Sequence, residues 1–123
     1  MIALILAVAV TCTQPVRVID GDTIEVCNAS GPERIRIAHL DAPESFRPAC
    51  AKEKQAGVQA KQAAIQFFVR PTVDLDINRH SKDRYGRSVA DVSVNGVDFA
   101  TYMIESGHGV KWQFNKKHNW CKE

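Results

Sequence analysis

Two short acidic runs carry the side chains best suited to chemistry, Asp20-Gly21-Asp22 and Asp41-Ala42-Pro43-Glu44. Carboxylates gathered on loops bind hard divalent cations through oxygen. Asp-Gly is also a turn dipeptide in its own right, because it tolerates the positive φ of tight hairpins. The first run alone therefore does not make a metal site. The second strengthens it, because Asp41 and Glu44 would stand beside that turn if the strands between them form a meander. Arg34 and Arg36 lie on one strand face just upstream. They are either solvated positions pairing with Glu25 or Glu33, or, for Arg36, a forked guanidinium beside a cation and a carboxylate, the arrangement a phosphodiester needs. Asp83-Arg84-Tyr85-Gly86-Arg87 is, taken alone, a charged loop ending in a glycine turn. Cys and His are absent from all three runs, which suits Ca²⁺ better than Zn²⁺. His39 reads as a surface residue at a strand end, and His118-x-x-Cys121 offers too few ligands for a metal site.

The elements that must position these side chains follow from periodicity. Val16–Ile19, Thr23–Cys27 and Arg34–Ile37 alternate as strands, separated by turn signals at Asp20–Asp22 and Asn28–Pro32. Pro43 cannot continue a sheet interior, so Asp41–Glu44 is a loop. The spacing predicts a helix over 51–69 with Val58, Ile65 and Phe68 on its buried face, stopped by Pro71. A fourth strand is expected over Val73–Ile77, a polar loop over Asn78–Gly86 and a fifth strand over Ser88–Val94, closed by Asn95-Gly96. A short helix over Val97–Glu105 ends at Gly107. The tail carries Trp112, Phe114 and Trp120 among lysines. This order predicts a mainly β, α+β domain over residues 11–123. It matches a five-stranded, partly open OB-fold barrel with a helix inserted after strand three and a second short helix near the C-terminus. Other α+β folds share that order.

The 123 residues point to one domain, and a formal charge of +2 permits a polyanionic partner without arguing for one. The apolar run Ile2–Val10 is too short to span a bilayer. It reads as an export leader over residues 1–10, an uncleaved anchor or a first strand; the basic segment expected ahead of a leader is missing. Four cysteines in a short chain favour two bridges and an exported (periplasmic or extracellular) protein, against unpaired thiols in a cytosolic one. Cys12 and Cys27 flank the first hairpin and could face each other. Cys50–Cys121 would pin the tail to the body.

Taken together and in order, Val18-Ile19-Asp20-Gly21-Asp22-Thr23, Arg36 through Asp41-Ala42-Pro43-Glu44, and Asp83-Arg84-Tyr85-Gly86-Arg87 resemble the staphylococcal-nuclease-like (thermonuclease) family. The resemblance covers roughly residues 16–107. It implies an OB-type barrel and Ca²⁺-dependent hydrolysis of DNA or RNA by a monomer. By motif match, Asp22, Asp41 and the Ala42 carbonyl would be ligands to one Ca²⁺ ion, with Asp20 in its outer shell. Glu44 would position or deprotonate water, and Arg36 and Arg87 would hold the phosphate. The family often has Thr at the position of Ala42; the carbonyl survives that difference but a hydroxyl does not. Tyr85, Trp112 and Phe114 are candidates for contact with a base, or simply for packing. The competing reading is a non-catalytic OB-fold module that binds single-stranded nucleic acid or a protein.

Overall fold

The computed structural model describes residues 14–114 and 116–122; the expected leader and the expected Cys12–Cys27 bridge lie outside the described residues. In chain order the elements are β1 (Val16–Asp20), β2 (Thr23–Asn28), β3 (Gly31–Ile37), β4 (Leu40–Asp41), α1 (Ala51–Phe68), β5 (Leu75–Lys82), β6 (Ser88–Val94), β7 (Val97–Asp98), α2 (Phe99–Glu105) and β8 (Val110–Lys111). The five long strands hydrogen-bond in the order β1-β2-β3-β6-β5, with β3 parallel to β6 and the other neighbours antiparallel. This is the expected OB-like α+β fold, with helix α1 inserted after the meander. Two short additions were not anticipated: β7 pairs with β6, and β4 pairs with β8 so that Leu40 faces Lys111 and Asp41 faces Val110.

Alternation builds the core. Ile24, Val26, Ile35, Ile37, Ala90, Val92 and Val94 point inward from β2, β3 and β6, and Ala60, Ala64, Phe67, Phe68, Phe99 and Met103 close over them from the two helices. The rings of Phe67, Phe68 and Phe99 meet at 4.9–5.1 Å between centroids.

Three expectations fail in instructive ways. Phe68 is buried as expected, but it shares the buried face of α1 with Glu53, Gly57, Ala60, Ala64 and Phe67, whereas Val58 and Ile65 are 41% and 40% exposed. Small residues at Gly57, Ala60 and Ala64 let α1 lie close to the body, and Phe67 and Phe68 fill the core at its end. Strand β5 runs through Lys82, across what reads as a loop, because its outer residues gain backbone pairing with β6 while their side chains stay in water. Gly21 is not a positive-φ position. It is needed for space, since a Cβ there would lie 3.0 Å from both Ala42 Cβ and Ala60 Cβ.

Gly57 makes the tighter approach. A Cβ on it would fall 2.4 Å from the carbonyl carbon of Glu44 and 2.6 Å from the amide nitrogen of Ser45. Helix α1 thus rests directly on the acidic loop. Cys50 caps the helix, and the buried Glu53 three residues later turns back to accept the N–H groups of Ala49 (2.7 Å) and Glu44 (3.2 Å). At the opposite side Glu33 ties four strands together, accepting from Arg79 (2.6 and 2.8 Å), Ser88 Oγ (2.7 Å) and Asn28 (2.7 Å). The Arg79 guanidinium, chiefly, holds its pKa at about 2.

Two outcomes follow. Gly57→Ala should lower stability by about 1–3 kcal/mol despite the better helix propensity of Ala; an unchanged or raised midpoint in chemical denaturation would mean that helix and loop separate freely. Glu33 titrates lower in the folded than in the unfolded chain. Its stabilisation is therefore complete above pH 4.5 and lost as pH falls through about 2. Glu33→Gln should cost about 1–3 kcal/mol at neutral pH, and the gap from wild type should close across that acid range when denaturation is followed at several pH values.

Candidate active site

The hairpin between β1 and β2 holds Asp22 against the start of the acidic loop. Asp22 Oδ2 accepts the N–H of Ala42 at 3.0 Å and lies 3.5 Å from Arg36 Nη2, while Oδ1 accepts the Thr23 hydroxyl at 3.2 Å. Burial raises the pKa of Asp22 and the charge of Asp41 adds to the rise; the Arg36 guanidinium and the Ala42 N–H oppose it. Asp41 closes β4, is 3% exposed, and its Oδ2 accepts the N–H of His118 at 2.9 Å. Asp20 is engaged with Ser45, accepting its hydroxyl at 2.6 Å and its N–H at 3.3 Å.

Glu44 follows Pro43 and is half-buried. Burial pushes its pKa up; Lys117, with Nζ 3.7 Å from Oε1, pulls it down, and Asp20, Asp22 and Glu53 push it further up. Arg36 leaves the outward face of β3, between the buried Ile35 and Ile37. Its Nη1 donates to the carbonyls of Leu40 (2.7 Å), Ile37 (2.9 Å) and Asp22 (3.4 Å), which fastens the β3–β4 turn to the first hairpin.

Arg87 arrives from a different part of the chain. Asp83 builds the turn before β6: Oδ1 accepts the N–H groups of Tyr85 and Arg87, each at 2.9 Å, and Oδ2 holds Arg87 Nε at 2.7 Å. Burial works against the Asp83 charge, but these donors outweigh it and leave its pKa lowered. Because the ion pair uses Nε, the two terminal nitrogens of Arg87 make no hydrogen bond among the described residues.

Six of the expected site side chains face one cleft of about 940 Å³. It is lined by Asp20, Asp22, Arg36, Asp41, Glu44 and Arg87, with Tyr85 and Trp112 on its walls. Ala42 is buried behind it, against Asp22. Phe114 does not line the cleft; it is 77% exposed and meets Trp112 edge-on at 5.9 Å. Arg34, Arg47, Arg84, Lys116 and Lys117 also line it, so the cleft concentrates positive charge that the whole-chain balance does not reveal.

The Cys50–Cys121 bridge is present, joining α1 to the tail across 71 residues. It brings Lys117 to Glu44 and the His118 amide to Asp41. It also takes Cys121 away from any His118-x-x-Cys121 metal pair.

Sequence reasoning missed Glu53, Ser45, Asp83 and Lys117. Two had usable signals: Cys50-x-x-Glu53 has capping-box spacing, and Asp83 two residues before Tyr85 is an Asx-turn pattern. Lys117 had none, since only the folded tail brings it near Glu44.

The donor set fits a hard cation. Two buried carboxylates, one of them shifted by that burial and by its neighbour, present oxygen alone.

Comparison with known proteins agrees with this geometry. Residues 34–122 match the family model described as staphylococcal nuclease homologue. The chain is 40% identical over 80 residues to the protein named ParB from Escherichia coli, covering 65% of this chain and 40% of that one. It is 32% identical over 91 residues to the thermonuclease of Staphylococcus intermedius and 34% identical over 92 to that of Staphylococcus hyicus. These span 74% and 75% of this chain and 54% of each relative. The chain thus spans about half the length of the curated relatives it matches. The family match covers Arg36, Asp41, Glu44 and Arg87, the residues that meet Asp22 in the cleft, and the chain belongs to the staphylococcal nuclease homologue family.

Proposed function

We propose that this protein is a Ca²⁺-dependent nuclease that hydrolyses phosphodiester bonds of DNA or RNA in the cleft between the acidic loop and the Asp83–Arg87 turn. The observation that carries this reading is the meeting of Asp22, Asp41, Glu44, Arg36 and Arg87, from four separate segments, on one cleft. A module that only bound nucleic acid would gain nothing from buried carboxylates there, because they repel phosphate. Relatives named thermonuclease support the same activity.

Asp22, Asp41 and the Ala42 carbonyl would hold one Ca²⁺ ion, whose chemistry when bound is to stabilise negative charge on phosphate oxygens. Asp20 acts from the outer shell, through the loop it fastens at Ser45. Glu44 takes the proton of the attacking water as the new P–O bond forms and the bond to the departing sugar oxygen breaks. Its raised pKa makes it a stronger base than an exposed carboxylate. Arg36 and Arg87 donate N–H groups to the non-bridging oxygens, where charge builds. Tyr85 and Trp112 offer ring faces to a base, with Phe114 buttressing Trp112. The basic lining makes substrate affinity fall with salt. The reading extends to a monomeric, exported protein; the Cys50–Cys121 bridge agrees with export. Among the described residues no helix is long and apolar enough to cross a membrane.

Single-stranded DNA incubated with the protein should be cleaved in Ca²⁺ and spared in chelator; equal cleavage in both would sink the metal mechanism. Arg87→Ala and Glu44→Gln should each lower turnover by roughly 10²–10³-fold at nearly unchanged melting temperature. For Arg36 the informative change is Arg36→Lys, because Arg36→Ala would also strip three backbone carbonyls of their donor. Normal turnover in Arg87→Ala would remove the Asp83–Arg87 turn from the site.

A further inference from the structure

Outside the acidic cleft, three metal-ligating side chains converge from separate segments. His39 lies in the turn between β3 and β4, His80 on β5 and Asp91 on β6. One donor atom from each lies within 4.8 Å of the others. Asp91 stands between the two imidazoles, with Oδ2 2.7 Å from His80 Nε2 and Oδ1 3.8 Å from His39 Nε2. Two donors each about 2.0 Å from a tetrahedral ion are roughly 3.3 Å apart. The two Asp91–histidine separations, each to a different carboxylate oxygen, fall on either side of that value.

The backbone contributes to the convergence at two unusual places. His39 adopts φ +67, the left-handed region that side chains with a Cβ avoid, and it is exposed between the buried Ala38 and Leu40. The Ala38 N–H donates to the Ala90 carbonyl at 2.8 Å, anchoring that turn beside Asp91. His80 sits at the register shift between Arg79 and Ser81, where β5 carries one residue more than β6. Such a bulge re-aims a side chain; without it, alternation alone would set the direction of His80.

We infer that His39, His80 and Asp91 form a binding site for a borderline transition cation of the Zn²⁺ class, with coordination completed by water or an anion. Two imidazoles and one carboxylate suit Zn²⁺, whereas the all-oxygen set at Asp22 and Asp41 suits Ca²⁺. Neutral imidazole is the ligand form, and the ion takes the place of the His80–Asp91 hydrogen bond. His39 and His80 line a groove of about 700 Å³ that also touches Arg36 and Arg87. A cation there adds positive charge beside the two arginines. This site stands independently of the nuclease reading.

The test is a Zn²⁺ titration of the intact protein in excess Ca²⁺, followed by calorimetry and by NMR of the histidine ring protons. We expect one site, with the His39 and His80 signals shifting together. His39→Ala, His80→Ala and Asp91→Asn should each weaken Zn²⁺ binding at least about tenfold, while His118→Gln leaves it intact. The NMR arm reports on the wild-type protein, so it does not depend on how the variants fold. Unmoved His39 and His80 signals, unchanged affinity in all three variants, loss of binding in His118→Gln, or displacement of Zn²⁺ by Ca²⁺ would each overturn the inference.

Discussion

Asp22 and Asp41 place two carboxylates of like charge next to each other inside a folded body, and the surrounding structure is arranged to make that tolerable. Burial already disfavours the charged form of Asp22, and Asp41 adds repulsion. The compensation comes from far along the chain: a guanidinium from β3, the amide of Ala42, and the amide of His118 from the tail. The last of these depends on the Cys50–Cys121 bridge, which holds the tail against the start of α1. The disulfide therefore does more than restrict the unfolded chain. It keeps a hydrogen-bond donor over a buried carboxylate and an ammonium beside Glu44.

The same loop explains the sequence of α1. A helix that must lie on Glu44 and Ser45 cannot present a large side chain at the crossing, so Gly57 stands there and Ala60 and Ala64 follow on the same face. The first hairpin meets this face through Gly21. Close backbone approach fixes the loop more tightly than long side chains would, because backbone has few alternative positions. Glu53 completes the arrangement by receiving the Glu44 amide, so a buried carboxylate at the foot of the helix fixes the backbone of the acidic loop above it.

These features mark the boundary of what was legible beforehand. Strands β1, β2 and β6 and the extents of both helices could be read because alternation and caps are local signals. Phe68 aside, the buried face of α1 could not, because hydrophobicity points to Val58 and Ile65 while the contact over the acidic loop selects for small size. The second half of β5 was hidden because its side chains face water, so only backbone pairing identifies it. Within the site, Asp22 and Asp41 announce themselves as carboxylates on neighbouring turns. The capture of Arg87 by Asp83 is also local, yet its arrival in the same cleft depends on β6 lying parallel to β3. That pairing joins residues more than 50 positions apart and leaves no mark in the sequence. The resemblance over three motifs supplied what geometry could not.

The two arginines differ in how they are held, and the difference bears on how the site works. Arg36 is largely buried and its Nη1 is shared among three carbonyls, so its guanidinium is oriented before any ligand arrives. A donor fixed in advance loses little on meeting developing charge, which is the source of most electrostatic stabilisation in enzymes. The cost is that its position cannot be separated from the fold of the β3–β4 turn. Arg87 is held at Nε by one carboxylate, with the Tyr85 ring 5.4 Å from its charged centre. Its terminal nitrogens can follow a ligand through small movements of a single turn. Under the proposed nuclease reading, a rigid donor and an adjustable one, across the cleft from Glu44, would allow one site to bind substrate and still tighten on the transition state.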